Sequence, residues 1–261
     1  MKDSIKKTAR VGYAAKGTVY AVTGVLALLT ALDMGGDKAG KLKVIEFIEK
    51  QEFGSVLIAI LGLGLICYAV WRFIQSISDP ENIGSDGKAY AKRFGFFLSG
   101  VFYLGLGGLA VYKAFSSTSG GSGSGGSSFA NSDWFEYVLI AAAIGLAIKS
   151  IFQFKKAYTQ DFLKKFDYES ISEAKRRKVV KNSGIMGHIA RGVVTGIIAF
   201  FLYKAYSNSV NSTEKIGGTA EAFSFIQEQS YGSILLGLTA AGLICYGIYM
   251  FTLTKYRQFS D

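Results

Sequence analysis

Proline, histidine and cysteine are nearly missing from this chain: one, one and two residues in 261. With a single proline, almost nothing in the sequence interrupts a long helix. One histidine and two thiols do not make a metal set, and a lone His188 gives no haem pair, so no cofactor is expected. His188 aligns with the ring positions Tyr13 and Phe96, which marks it as an interfacial ring rather than a ligand. Carboxylates are missing where transport chemistry would need them, because no Asp or Glu falls in the middle of any long apolar run. A charge held deep in a bilayer costs at least a few kcal/mol and persists only for a reason, so this absence speaks against a proton relay or a carboxylate cation site. Patterns of the GxSxG, HExxH and P-loop kind are absent as well, and the chain is not expected to be an enzyme.

What the chain has in abundance is contiguous apolar sequence. Half of its residues are hydrophobic, and they gather into Val11 to Leu32, Gly54 to Ile74, Phe94 to Phe115, Trp134 to Phe154, Ile185 to Tyr206 and Tyr231 to Leu253. Each run is about 21 to 23 residues, long enough as a helix to cross a hydrocarbon layer of roughly 30 Å. The expected fold class is therefore all-α, a polytopic membrane protein with six transmembrane helices. The first run follows the basic leader MKDSIKKTAR, yet it is longer than a signal-peptide core and shows no small-residue cleavage site, so it reads as a span. Of 29 Lys and Arg, 19 lie in the amino-terminal segment, 72–93, 155–181 and the tail. The positive-inside rule then places both termini in the cytoplasm and the protein in the inner (plasma) membrane. The net charge of +10 is mostly this topology signal, and no nucleic-acid partner is expected.

The pentapeptide GLICY occurs twice, at 64–68 and 242–246, and the match extends beyond it. Gly12, Lys16-Gly17, Tyr20 and Gly24 align with Gly187, Arg191-Gly192, Thr195 and Ala199; a middle copy reads Gly95, Ser99-Gly100, Tyr103 and Gly107, followed by Gly145-Leu146. A long period of this kind means one supersecondary unit duplicated. Two helices return the chain to its starting side, so the expectation is three parallel helical-hairpin repeats in a pseudo-threefold arrangement. The units are 1–78, 79–156 with a Gly/Ser-rich outer loop, and 157–261 with the basic inner loop. Between the spans of the first and third units, Lys41 to Glu52 and Thr219 to Ser230 carry an apolar stripe that predicts short amphipathic helices at the outer interface. The second unit has SSTSGGSGSGGSS there, a flexible coil. The connection around Phe162, Leu163 and Phe166 predicts one or two amphipathic helices on the inner leaflet, with the basic run Lys175 to Lys178 either near anionic headgroups or simply a solvated topology anchor, and Trp71, Trp134 and the tyrosines fit interfacial belts.

The stretches RVGYAAKGTVYAVTGVLAL, FGSVLIAILGLGLICYAVWRF and RFIQSISDPENIGSDGKAYAKRFGFFLSGVFYLGLGGLAVYKA, with the inner FLKKFD, resemble the DUF1206 family of bacterial membrane proteins. The resemblance implies three copies of a two-helix domain. It departs in the second unit, where Ser99 replaces the basic residue, and the family's function is unknown.

In steps of four, the first, third and fifth spans read Gly12, Lys16, Tyr20, Gly24; Gly95, Ser99, Tyr103, Gly107; and Gly187, Arg191, Thr195, Ala199. Residues four apart share a helix face. One reading is structural: small residues let these three helices meet closely and hydroxyls bond across the contact. A second makes Lys16, Ser99, Arg191, Tyr20, Tyr103 and Thr195 an anion or lipid-headgroup site, and a third has Lys16 and Arg191 simply snorkelling to the interface. The sequence thus supports a passive conduit or binding pocket for a small or anionic solute, with a non-transporting membrane scaffold or lipid-binding partner protein as the alternative. The expected partners are membrane lipids, with anionic headgroups at the inner leaflet, and a second copy or another membrane protein. The aligned Cys67 and Cys245 read as small buried hydrophobes.

Overall fold

The computed structural model describes residues 3–33, 47–48, 54–115, 134–166, 171, 174–208 and 219–258; for 88, 134–139, 205–206, 208 and 219–221 it describes the backbone alone. The chain forms α1 (Asp3–Ala31), α2 (Gly54–Ile77), α3 (Gly87–Phe115), α4 (Trp134–Thr159), a 3-10 turn (Asp161–Lys165), α5 (Ala174–Asn208), α6 (Thr219–Gln227) and α7 (Gly232–Tyr256). No strand occurs among the described residues; an isolated antiparallel bridge ties Phe166 to Arg257. Helices close every backbone hydrogen bond internally, which is what an apolar surrounding demands. Five of them, α1, α2, α3 from Ala89, α5 to Lys204 and α7, are long and apolar enough to cross a membrane, and the protein is a multi-pass membrane protein. The run 134–154 is also helical, within α4, a helix of 26 residues.

The connections depart from expectation in instructive ways. Ala222, Phe223 and Ile226 of α6 are buried, and Phe225 meets Phe201 of α5 edge-on at 5.4 Å. The apolar stripe is therefore turned onto α5 and α7 rather than laid along a lipid surface. Of Lys41 to Glu52, residues 47 and 48 are described and helical; the rest, and the Gly/Ser stretch at 116–133, lie outside the described residues. The inner connection forms no separate amphipathic helix among its described residues. Phe162 and Phe166 are buried, with Phe162 seated over Gly184 and 5.4 Å from the Tyr249 ring, so the connection folds inward as a 3-10 turn. The basic run Lys175 to Lys178 belongs instead to the start of α5, whose 35 residues continue unbroken because Ala, Lys and Arg are strong helix formers.

Extended contacts join α1 to α7 and to α2, α2 to α3, α5 to α4 and α5 to α7. The order of packed neighbours is α3, α2, α1, α7, α5, α4. Among the described residues α3 and α4, at its two ends, make no extended contact with each other. The small residues line these seams rather than a contact among α1, α3 and α5. A Cβ added at Gly62 would stand 2.9 Å from the Gly107 carbonyl oxygen, and one added at Gly24 2.8 Å from that of Ala240. The reason is that tyrosine side chains fill the centre and hold α1, α3 and α5 apart. Trp71 is 1% exposed. Its expected place in an interfacial belt is overturned by a hydrogen bond from its Nε1 to Tyr13 Oη at 2.8 Å, which lets the ring sit inside the bundle.

Candidate functional site: a cation and tyrosine cluster

At the level of Lys16 the bundle is closed by aromatic rings. Tyr20 of α1 meets Tyr246 of α7 edge-on at 4.8 Å, and Tyr68 of α2 meets Tyr103 of α3 at 4.8 Å. Lys16 is 3% exposed among them. Its Nζ donates to Tyr68 Oη at 2.7 Å and lies 4.5 Å from the Tyr68 ring centroid and 5.2 Å from that of Tyr103. Arg191, on α5 at the aligned position, repeats the arrangement: Nη1 donates to Tyr246 Oη, and the guanidinium carbon is 4.3 Å from that ring's centroid. The two cations share rings, since Lys16 is 5.9 Å and Arg191 5.2 Å from the centroid of Tyr20. Cation–π attraction contributes about 0.5–2 kcal/mol per pair, less than the several kcal/mol of removing a charge from water.

Each pairing depends on close backbone approach. An added Cβ at Gly12 would stand 2.5 Å from Tyr68 Cα, and one at Gly187 2.6 Å from Tyr246 Cα. Glycine at these two positions lets α1 meet α2, and α5 meet α7, closely enough for a cation one turn on to reach the tyrosine hydroxyl.

From Tyr68 a polar chain runs towards the end of the bundle where α1 begins and α7 ends. Arg72 Nε donates to Tyr68 Oη at 2.8 Å, Arg72 Nη1 to Gln75 Oε1 at 2.9 Å, and Gln75 Nε2 to Glu81 Oε1 at 2.5 Å. Glu81, in the α2–α3 connection, accepts from Arg257 Nη2 and lies 3.7 Å from Lys165 Nζ. Arg257 Nη1 also donates to Tyr13 Oη. Burial opposes ionisation of Glu81, but Lys165, Arg257 and Arg72 outweigh it and hold the carboxyl down at about 2. Burial pushes Lys165 from 10.5 down to about 7, against the pull of Glu81, although about a third of its side chain still reaches solvent.

Arg191 has a second partner. With the Gln153 amide oriented to satisfy both neighbours, its nitrogen donates to His188 Nδ1 at 2.8 Å and its oxygen accepts from the Arg191 guanidinium at 3.1 and 3.2 Å. His188 is buried against Phe162, Tyr246 and Tyr249, not interfacial, because the 3-10 turn covers it. Beyond Arg191, Lys156 follows Gln153 by three residues on α4 and is exposed.

Of the six residues picked out by sequence, Lys16, Tyr20, Tyr103 and Arg191 come together; Ser99 and Thr195 are half-buried at their aligned positions on α3 and α5. Sequence reasoning missed Tyr68 and Tyr246, although they are the last letter of each GLICY, and it missed Arg72, Gln153 and Glu81. Cys67 and Cys245 are free and half-buried. Among the described residues no group of His, Cys, Asp and Glu converges as a metal site. Among the described residues the cluster and its polar chain bring Lys16, Arg72, Lys165, Arg191 and Arg257 together with the carboxylate of Glu81.

Comparison with known proteins gives two findings. The family model described as Domain of Unknown Function (DUF1206) matches residues 11–79 and again 186–257. An uncharacterized protein of Bacillus subtilis (strain 168), YxxB, is 32% identical over 260 residues, covering 95% of this chain and 90% of that protein. No solved structure matches the chain.

Proposed function

The chain belongs to the DUF1206 family, and from that premise we propose that it is a six-span integral membrane protein that binds an anionic group, phosphate or carboxylate, within the end of the bundle that carries its termini. One observation carries the reading: the half-buried guanidinium of Arg191 is held by the neutral Tyr246 and Gln153 and shares the Tyr20 and Tyr246 rings with a second cation, Lys16. Like charges that close together are stabilised by a bound counter-charge. The tyrosine closure around Lys16 supports a binding pocket over an open conduit, and it equally favours the second reading, a scaffold that holds lipid without transporting it.

The packing order supports three parallel hairpins about an axis. The second helix of each unit meets the first helix of the next, as α2 on α3, α4 on α5 and α7 on α1. Two separate matches to one domain model agree with a repeated unit. The positive-inside rule puts the cationic end in the cytoplasm and the protein in the bacterial plasma membrane. No catalytic step is assigned, since the sequence offers no paired acid, base and nucleophile.

The test is the double variant Lys16→Gln/Arg191→Gln, compared with the parent for thermal protection by inorganic phosphate and by phosphatidylglycerol. Loss of both protections with the fold retained is expected. Equal protection of both proteins overturns the site.

A further inference from the structure

In the first unit Gly64 packs on Ala15, where an added Cβ would stand 2.6 Å from the alanine Cβ, and in the third Gly242 packs on Ala190 at 2.5 Å. These contacts, with Gly12 on Tyr68 and Gly187 on Tyr246, close the α1/α2 and α5/α7 seams. The aligned glycines of the second unit, Gly95 on α3 and Gly145 on α4, meet nothing within 4 Å. Leu98 takes the place of Ala15 and Ala190 and is 52% exposed. An alanine permits backbone contact between helices, and a leucine there wedges them apart. The result is a cleft between α3 and α4 on the flank where the ring of helices does not close. At its terminal end stands the exposed Lys156, three residues along α4 from Gln153, whose amide oxygen accepts from the Arg191 guanidinium at 3.1 and 3.2 Å.

We propose that this cleft is a lateral access way and seat for an anionic phospholipid, its phosphate at Lys156 and Arg191 and its acyl chain between α3 and α4. The proposal rests on the anion-binding reading and names the ligand class and its route. Charge complementarity selects the occupant: apolar walls ending in several cations fit an amphiphile with an anionic head. A second copy of this chain carries a net charge of +10 and has no carboxylate in the middle of its apolar runs, so it would bring like charge to the same place.

The test uses Gly95→Trp/Gly145→Trp, which fills the cleft at positions where a side chain has room, with Gly95→Leu/Gly145→Leu as the milder pair if the first fails to fold. Native mass spectrometry reads retention of phosphatidylglycerol and of phosphatidylcholine, and thermal protection reads inorganic phosphate. The parent should retain phosphatidylglycerol over phosphatidylcholine by about tenfold or more, and the filled variant should lose about tenfold of that retention while phosphate still protects it. Undiminished retention in the filled variant, or equal retention of the two lipids by the parent, overturns the proposal. If phosphate protects the parent while the lipid preference is absent, the anion site stands and the lipid route falls. If neither is seen, both fall.

Discussion

Lys16 Nζ on α1 donates to Tyr68 Oη on α2 at 2.7 Å, and the same hydroxyl accepts from Arg72 Nε at 2.8 Å. The Tyr246 hydroxyl accepts from Arg191, a residue also held by Gln153. One tyrosine therefore serves two cations and the other serves one, while Arg72 and Arg191 each have a second acceptor, Gln75 and Gln153. Two positions that the GLICY repeat makes alike are unequal in energy.

Tyr68→Phe should cost about 3 kcal/mol, since hydrogen bonds to charged groups contribute about 1.5–3 kcal/mol each and both cations lose an acceptor away from bulk water. Tyr246→Phe should cost about half of that, because it removes one charged hydrogen bond rather than two. Thermal denaturation in detergent ranks the two; equal losses would show that Tyr68 does not serve both cations.

The glycines separate more sharply. At Gly12 the methyl of alanine would meet the backbone of Tyr68, at 2.5 Å from Cα and 2.6 Å from N, and backbone cannot swing aside. Gly12→Ala should lower stability by about 1–3 kcal/mol, the range of overpacking. Gly95→Ala has open space and should be neutral or gain up to about 1 kcal/mol of helix propensity. A destabilised Gly95→Ala protein would place α4 against α3.

Much of this fold is legible in the sequence because the hydrocarbon layer imposes a length. The apolar run 54–74 corresponds to α2, which starts at Gly54. The runs give helix ends poorly on the basic side: α1 begins at Asp3 rather than at Val11, and α5 at Ala174 rather than at Ile185. Lys and Arg carry a helix beyond the apolar zone, and apolarity marks only the zone. In the site, Lys16 and Arg191 are found by repeat alignment. Glu81 is not, because its partner Arg257 lies 176 positions away and no local pattern links an interhelical loop to a carboxyl-terminal tail. Tyr68 and Trp71 read as belt residues since sequence shows their amphipathic rings, not the partners that let them be buried.

The six-span reading predicts that a cysteine at 124, as Ser124→Cys, is labelled by an impermeant maleimide from outside intact cells. Ser172→Cys should react only after permeabilisation, because four spans separate it from the amino terminus and two separate it from the carboxyl terminus. The background should carry Cys67→Ser and Cys245→Ser, as both thiols are free and half-buried. The opposite accessibility would invert the orientation, and labelling of both from outside would remove one span.

The pH dependence should show the Glu81 clasp by itself. Its folded-state carboxyl lies at about 2, below the ordinary 4.5, so folded protein keeps the charge where unfolded chain has taken up a proton. That contribution is complete above about pH 4.5 and disappears as pH falls to about 2. Lys165 acts in the opposite sense: with its ammonium pushed from 10.5 down to about 7, keeping the proton costs the folded state below about pH 7, and the cost lifts as pH rises towards 10.5. Partial exposure of Lys165 screens this second effect, so the acid arm is the larger. Glu81→Gln should destabilise the protein near pH 6 by roughly 2–3 kcal/mol, because it leaves the buried Arg257 and the neighbouring Lys165 without their carboxylate. The same substitution should flatten the fall of the melting midpoint between pH 4.5 and 2, which in the parent also contains the half-buried Asp79 and Asp161, whose carboxyls are likewise held down. A variant whose midpoint falls as steeply as the parent's over that interval would show that Arg257 is held in the bundle by Tyr13 and the Phe166 bridge, and that the carboxylate only accompanies them.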